Sequence, residues 1–286
     1  MGASSDRVGS IEQCCTQVRL AVLDEIEVAG SGHYGSSFSA VEILVSLYHG
    51  LLDVRPEDPD WAARDRFVLS KGHACSAWYP ILADLGFFDR SHLQTFTRLG
   101  SILGDHPDRK KIPGVDFSAG SLGHGLSVAV GMATALRLQG HNSRVVVLIG
   151  DGEQNEGQVW EAAAYASVRK LGSLLAIVDR NGVQVDGSTE EVLDMEPMAD
   201  KWRAFGWHVE EVDGHSVGDL LAAYERYDAR RQSDTPTILI AGTTAGKGIS
   251  FIENDAAWHV GYLHGEDAAE AARQVRSMYA KPGAAT

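Results

Sequence analysis

From residue 145 onward the chain sets down four short β-rich runs, RVVVLIG, SLLAIVDRN, WHVEEVDG and PTILIAGTT, with helical segments between them. Strands alternating with helices predict an α/β fold, a parallel sheet joined by crossover helices. In such a sheet, ligands bind outside the carboxyl ends of the strands. The first run ends at Gly150-Asp151-Gly152 and the second at Asp179-Arg180-Asn181-Gly182. Thirty positions separate Asp151 from Asn181, a span that fits one helix and one returning strand. Both side-chain oxygens are therefore expected side by side on one rim of the sheet.

An aspartate carboxylate, an asparagine amide oxygen and a backbone carbonyl make a hard oxygen set of the kind Mg²⁺ takes, with phosphate oxygens and water completing the octahedron. The neighbouring glycines let backbone come close to phosphate, and the amides that open the helix after Gly152 favour an anion. Taken singly, Asp151 reads as a helix cap and Asn181-Gly182 as a turn. As a pair at this spacing they read as a metal site.

The remainder of the chain is compatible with one continuous domain. No low-complexity linker or internal repeat divides it. Residues 10–29 are periodic and predict a helix, as do residues 37–50, while DRFVLSKGHACSAWYPILADLG predicts a strand, a turn at Lys71-Gly72-His73 and a helix. An Ala-rich helical tail is expected beyond Gly261. With 25 Lys+Arg against 39 Asp+Glu, the net charge of −14 repels phosphate backbones and anionic lipid, so neither nucleic acid nor membrane is an expected partner. The polar start MGASSDRVGS has no signal-peptide core, and no apolar run approaches membrane-spanning length. Three cysteines, two of them adjacent, form neither a disulfide framework nor a metal spacing, which fits a reducing cytoplasm. No G-x-G-x-x-G opens a helix, which argues against a nicotinamide-binding domain.

The GDG, helix, strand, N-G-V order is similar to the thiamine diphosphate signature. The whole chain resembles the amino-terminal, diphosphate-binding half of a transketolase, through SGHYGSSFSA, DRFVLSKGHA, GDHPD, PGVDFSAGSLGHGLSVAVGMA and GKGISFIENDAAWH in family order. The resemblance implies the fold of the transketolase pyrophosphate module, with thiamine diphosphate and Mg²⁺ (or Ca²⁺ or Mn²⁺) as cofactors. It implies Asp151, Asn181 and the Val183 carbonyl as metal ligands. Gly150, Gly152 and Glu153 would lie at the diphosphate, with His73 and His259 near it and the substrate. Gly120, Leu122 and Val185 would lie beside the cofactor's rings. His33 and His106 match positions that hold donor hydroxyls and assist proton transfer, and Glu156 and Glu161 match acidic residues buried at a subunit interface. Imidazole suits the proton traffic of a reaction that moves a two-carbon ketol unit from a ketose to an aldehyde. Taken singly, His33 and His73 read as loop histidines and His106 as closing an Asx-type turn; His124, His208 and His215 read as structural, His208 in a strand-like run and the other two with weaker family support. Lys247 reads equally as a phosphate contact or a solvated loop lysine.

The chain departs from the family pattern at Tyr34, where proline is common, at His124 for a glutamine, at Gln154-Asn155 for Leu-Gln, and at Ala245 for a larger aliphatic. Matched residues end near Trp258-His259, and the remaining stretch is too short for the pyrimidine-binding module. That module is expected on a second polypeptide, in an α₂β₂ assembly with two-fold symmetry. The expected function is thus the diphosphate-binding subunit of a two-component transketolase. Rival readings are a two-component 2-oxo acid dehydrogenase, a deoxyxylulose-phosphate-type synthase, a transketolase-like enzyme acting on a specialised-metabolite acceptor, or a non-catalytic subunit.

Overall fold

The computed structural model describes residues 5–280. Helix α1 (Ser5–Ala29) buries Ile11, Cys15, Val18, Val22 and Ile26, a three-to-four spacing that keeps one face on the core. Gly30, at φ 77°, ends it and donates its N–H to the Ile26 carbonyl. The single helix expected over 37–50 is instead two, α2 (Tyr34–Ser39) and α3 (Val41–Gly50), parted at Ala40. The serines account for the break: Ser39 Oγ bonds the Ser36 carbonyl 3.1 Å away and competes with the helix ladder.

The expected strand, turn and helix follow as β1 (Arg66–Leu69), a short 3₁₀ turn at Gly72–Ala74, and α4 (Cys75–Leu85). Then come α5 (His124–Leu138), β2 (Val145–Gly150), α6 (Gly157–Val168) and β3 (Leu174–Arg180). A small hairpin of β4 (Val183–Gln184) and β5 (Gly187–Ser188) leads to α7 (Thr189–Leu193) and α8 (Met198–Ala204). The chain continues through β6 (His208–Asp213), α9 (Val217–Arg230), β7 (Thr237–Gly242) and α10 (Gly265–Ser277).

Five strands form one parallel sheet in the order β1-β2-β3-β7-β6, so all four β-rich runs are strands of it. Its central strands are apolar without alternation because both faces are covered. Val146, Leu148, Leu175, Ile177 and Leu239 pack on the side of α1, α3, α4 and α9. Val145, Val147, Ile149, Leu174 and Ile238 pack on the side of α5, α6 and α8. Burying each such side chain contributes roughly 1.5–3 kcal/mol.

A buried ion pair braces the first layer. Arg19 on α1 donates to both oxygens of Glu42 on α3, at 2.5 and 2.9 Å, with neither side chain exposed. His215 Nδ1 donates to Glu42 Oε2 at 2.8 Å, and its Nε2 accepts from the Thr244 N–H at 2.9 Å. Tyr279 also donates to Glu42. Burial alone would raise the Glu42 carboxyl, but Arg19 and His215 outweigh it and hold it at about 2. His215 is thus a structural residue, as its sequence context suggested.

Candidate active site

The site lies at the carboxyl edge of the sheet. Gly150, last in β2, sits opposite Asp179 of β3, and the Asp151 N–H reaches the Asp179 carbonyl at 3.3 Å. This register brings the Asp151 and Asn181 segments together, as their spacing requires. Asp151 Oδ1 accepts from the Gly152 N–H at 2.8 Å, and Oδ2 from the Gly182 N–H at 2.6 Å. Gly182, at φ 75°, makes the turn that aims its N–H at the carboxylate. Asn181 Oδ1 accepts from the Val183 N–H at 3.0 Å. Burial pushes the Asp151 carboxyl up to about 6, against the pull of the two backbone donors.

A cavity of about 360 Å³ opens in front of these residues, and His33, His73, His106 and His259 all line it. The His33 ring centre lies 5.2 Å from that of His73, 5.7 Å from His259 and 6.5 Å from His106, and His73 and His259 are 5.6 Å apart. Four imidazoles from four separate segments thus share one chamber. Burial, then the positive Lys71 and the other histidines, hold His73 well below its usual range. Burial, then His33 and Lys71, push His259 down to about 4. Both rings are therefore neutral near pH 7 and able to take or give a proton. At the mouth, Asp105 Oδ1 lies 3.5 Å from His33 Nδ1 and Oδ2 lies 4.0 Å from His106 Nδ1. Its loop is pinned by Tyr79, whose hydroxyl donates to the Gly104 carbonyl at 2.9 Å.

Gly120, Leu122, Gly150, Gly152, Val183 and Val185 also line the cavity. A Cβ on Gly152 would stand 2.7 Å from Gln184 Oε1, a contact that only a shift of the Gln184 side chain would relieve. Glu153 borders the cavity too, but its carboxylate is engaged by protein. Ser70 Oγ and the Gly123 N–H donate to one oxygen and the Gly150 N–H to the other. Its evident role is to hold the loops rather than to face a ligand. Glu156 and Glu161 are not among the cavity residues. Both are exposed on this chain, Glu156 against Gly123 at the start of α5 and Glu161 on α6, so the expected burial is not met within the chain itself.

The departures have local accounts. Tyr34 is buried away from the cavity, stacked on Phe38, with its hydroxyl accepting from the Leu263 N–H. Gln154 is fully buried and accepts from Trp202 Nε1 at 2.7 Å, anchoring α8. His124 is exposed, with Nδ1 3.1 Å from the Leu122 carbonyl. Lys247 lies near Glu253 and is absent from the cavity wall. Nothing in the structure explains Ala245 beyond its burial near Gly35.

Lys71, Ser36 and Asp179 belong to the site although their sequence context assigns none of them a role. Lys71 lines the cavity and is paired with the buried Asp179, and it also donates to the Ser36 carbonyl at 3.3 Å. Lys71 sits inside the SKGHA motif, which was the available signal.

The residues present fit the expected cofactor and metal. Among the described residues, His33 Nδ1, Ser36 Oγ and Gln184 Nε2 are buried at the cavity wall without a hydrogen-bond partner. Such groups are costly unless a ligand engages them. The buried Asp151 carboxylate is likewise a charge that a divalent ion would compensate. No group of three His, Cys, Asp or Glu among the described residues is arranged to hold a metal. The set here mixes one carboxylate with an amide and a carbonyl.

The family pattern described as "Transketolase, thiamine diphosphate binding domain" matches residues 10–282. The chain belongs to the transketolase family. Among curated transketolases, it is 44% identical over 242 residues to the 6-deoxy-6-sulfo-D-fructose transketolase subunit SqwG of Clostridium sp. (strain MSTE9), covering 85% of this chain and 87% of the relative. It is 40% identical over 275 residues to one subunit of the apulose-4-phosphate transketolase of Phocaeicola vulgatus, covering 96% and 97%. The crystal structure of the Campylobacter jejuni transketolase superposes with a TM-score of 0.87 at 29% identity, over 93% of this chain and 42% of that one. The chain is a transketolase subunit, a transferase carrying the thiamine diphosphate-binding domain, and the dehydrogenase and synthase readings are not favoured. No helix among the described residues is long and apolar enough to cross a membrane.

Proposed function

We propose that this chain is one pyrophosphate-binding module, which holds the diphosphate and metal of a two-component transketolase in the cytoplasm. A separate polypeptide supplies the pyrimidine-binding module, in an α₂β₂ assembly. The reaction moves a two-carbon ketol unit from a ketose or ketose phosphate to an aldehyde. The observation that carries this reading is the convergence of Asp151, Asn181 and four imidazoles on one cavity at the strand ends. The partner is suggested by the relatives, two of which are named as subunits.

In this reading Asp151, Asn181 and the Val183 carbonyl hold Mg²⁺, and the backbone at Gly150 and Gly152 lies against the diphosphate. Bound thiamine diphosphate would supply the electron sink for carbon–carbon cleavage and formation. The chain's own residues move the protons. His73 and His259, neutral near pH 7, take a proton from a donor hydroxyl and return it to the acceptor oxygen. His33 and His106, beside Asp105, hold the donor's hydroxyls. Gly120, Leu122 and Val185 form an apolar bed that excludes water. Glu156 and Glu161, exposed on this chain, belong to the interface between subunits.

Titrating the purified chain with its separately expressed partner tests the reading. Ketol transfer should be absent from the chain alone and rise to a one-to-one plateau. Full turnover by the chain alone, free of contaminating transketolase, would overturn the two-component reading.

A further inference from the structure

An asparagine amide presents oxygen on one side and NH₂ on the other, in nearly the same shape. Only the oxygen serves a cation. Some neighbour must therefore decide which end of Asn181 faces the metal position. Asn181 Nδ2 donates to Ser39 Oγ at 3.2 Å. Ser39, on α2, is 140 residues from Asp179 and fully buried with it. Its hydroxyl has one proton and two acceptors in reach, Asp179 Oδ2 at 2.6 Å and the Ser36 carbonyl at 3.1 Å. With either acceptor that proton is engaged, and the hydroxyl oxygen can only accept from Asn181.

The direction of the chain is fixed from its far end. Asp179 as a carboxylate has no proton to give, and it also accepts from Lys71 and Thr243. Lys71, Ser39 and Thr243 are donors reaching it from β1's end, α2 and the segment after β7. Every hydrogen bond in the row therefore points toward Asp179, and the row ends with the Asn181 NH₂ turned inward. At the other end the Val183 N–H can donate only to the Asn181 oxygen.

We propose that Ser39, oriented by Asp179, is a positioning residue that fixes the Asn181 amide with its oxygen toward the cation. This rests on the metal reading given above. A flipped amide would present NH₂ to the ion and set it against the Val183 N–H. Loss of such an outer partner lowers metal affinity by roughly 10–100-fold.

A double-mutant cycle reads this without measuring turnover. Thiamine diphosphate binding to the full chain, with its partner present, is followed by calorimetry across a series of Mg²⁺ concentrations. Ser39→Ala should raise the Mg²⁺ needed for half-saturation by about tenfold or more. In an Asn181→Asp background the same change should cause no loss, because a carboxylate presents oxygen in either orientation. Ser39→Cys keeps the volume with a weak acceptor, and gives the same comparison should the alanine variant not fold. Equal losses in both backgrounds, or no loss in the native one, would overturn this inference and leave the functional reading standing. If the unaltered protein binds no thiamine diphosphate at any Mg²⁺ concentration, both fall together.

Discussion

Replacing Glu42 by glutamine tests the brace between α1 and α3 most directly. The exchange keeps shape and leaves an oxygen for His215 or Tyr279, but it removes the counter-charge from Arg19. That guanidinium is wholly buried and would keep only neutral acceptors, the Lys247 and Phe38 carbonyls at 3.1 Å each and the one remaining amide oxygen. The fold holds the Glu42 carboxyl at about 2, against a usual 4.5. At about 1.4 kcal/mol for each tenfold change in acidity, the native fold favours the carboxylate by roughly 3 kcal/mol. Breaking buried pairs on one side typically costs about 3–5 kcal/mol, which agrees. A loss of that size lowers the thermal midpoint by roughly 6–12 °C in a chain of this class. Because the folded value is depressed, this stability is complete above the usual 4.5 and is lost as pH falls through about 2. The gap between native and Glu42→Gln proteins in urea unfolding should therefore be constant from pH 7 to pH 5, and should narrow below about 4.5. A gap under about 1 kcal/mol at pH 7, or one that does not narrow in acid, would refute the reasoning.

Three further outcomes follow from the cavity. Asp151→Ala should abolish Mg²⁺-dependent retention of thiamine diphosphate while far-ultraviolet circular dichroism stays native, and unchanged affinity in calorimetry would end the metal assignment. His106→Ala should impair turnover of hydroxylated donors far more than cofactor binding, by about 2–4 kcal/mol or on the order of a hundredfold in rate; an equal loss of cofactor affinity would make the residue structural. His73 and His259 should give neutral imidazole signals in a nuclear magnetic resonance titration at pH 6. Since the unfolded rings take protons below about 6.5, the two histidines should also make the fold less stable as pH falls below that value. Titration of either ring near 6.5 would contradict the burial argument.

The sheet was legible because its central strands are buried on both faces and carry unbroken apolar runs between turn residues, while the edge strand β6 is partly exposed and mixes apolar with acidic residues. The Asp151–Asn181 pairing was legible for the same reason, since strand ends and a crossover length fix where two loops meet. The histidines were not legible from spacing. His33, His73, His106 and His259 converge from loops that no periodicity relates, and only family resemblance gathered them. Asp179 and Lys71 were not legible because their meaning is a contact across 108 residues, and each alone reads as an ordinary strand-end or turn residue. Glu153 was legible as a site residue but not in its work, since a carboxylate held by Ser70, Gly123 and Gly150 looks in sequence like one turned to a ligand. Glu156 and Glu161 show the converse limit: both are exposed on this chain, so the burial expected of them is not met by its own surface.

The two sides of the cavity are held unequally. Asp151 and Asn181 stand at the ends of strands locked into the centre of the sheet. Val183 and Val185 ride on a two-residue hairpin whose continuation, α7, buries no residue, and Val185 is 67% exposed. In the proposed reading, the oxygens of Asp151 and Asn181 are therefore set before a ligand arrives, whereas the Val183 carbonyl and the Val185 contact with the rings include the entropy of fixing that hairpin. Any second surface that clamps the hairpin beforehand would lower this ordering cost and tighten cofactor binding without touching the cofactor.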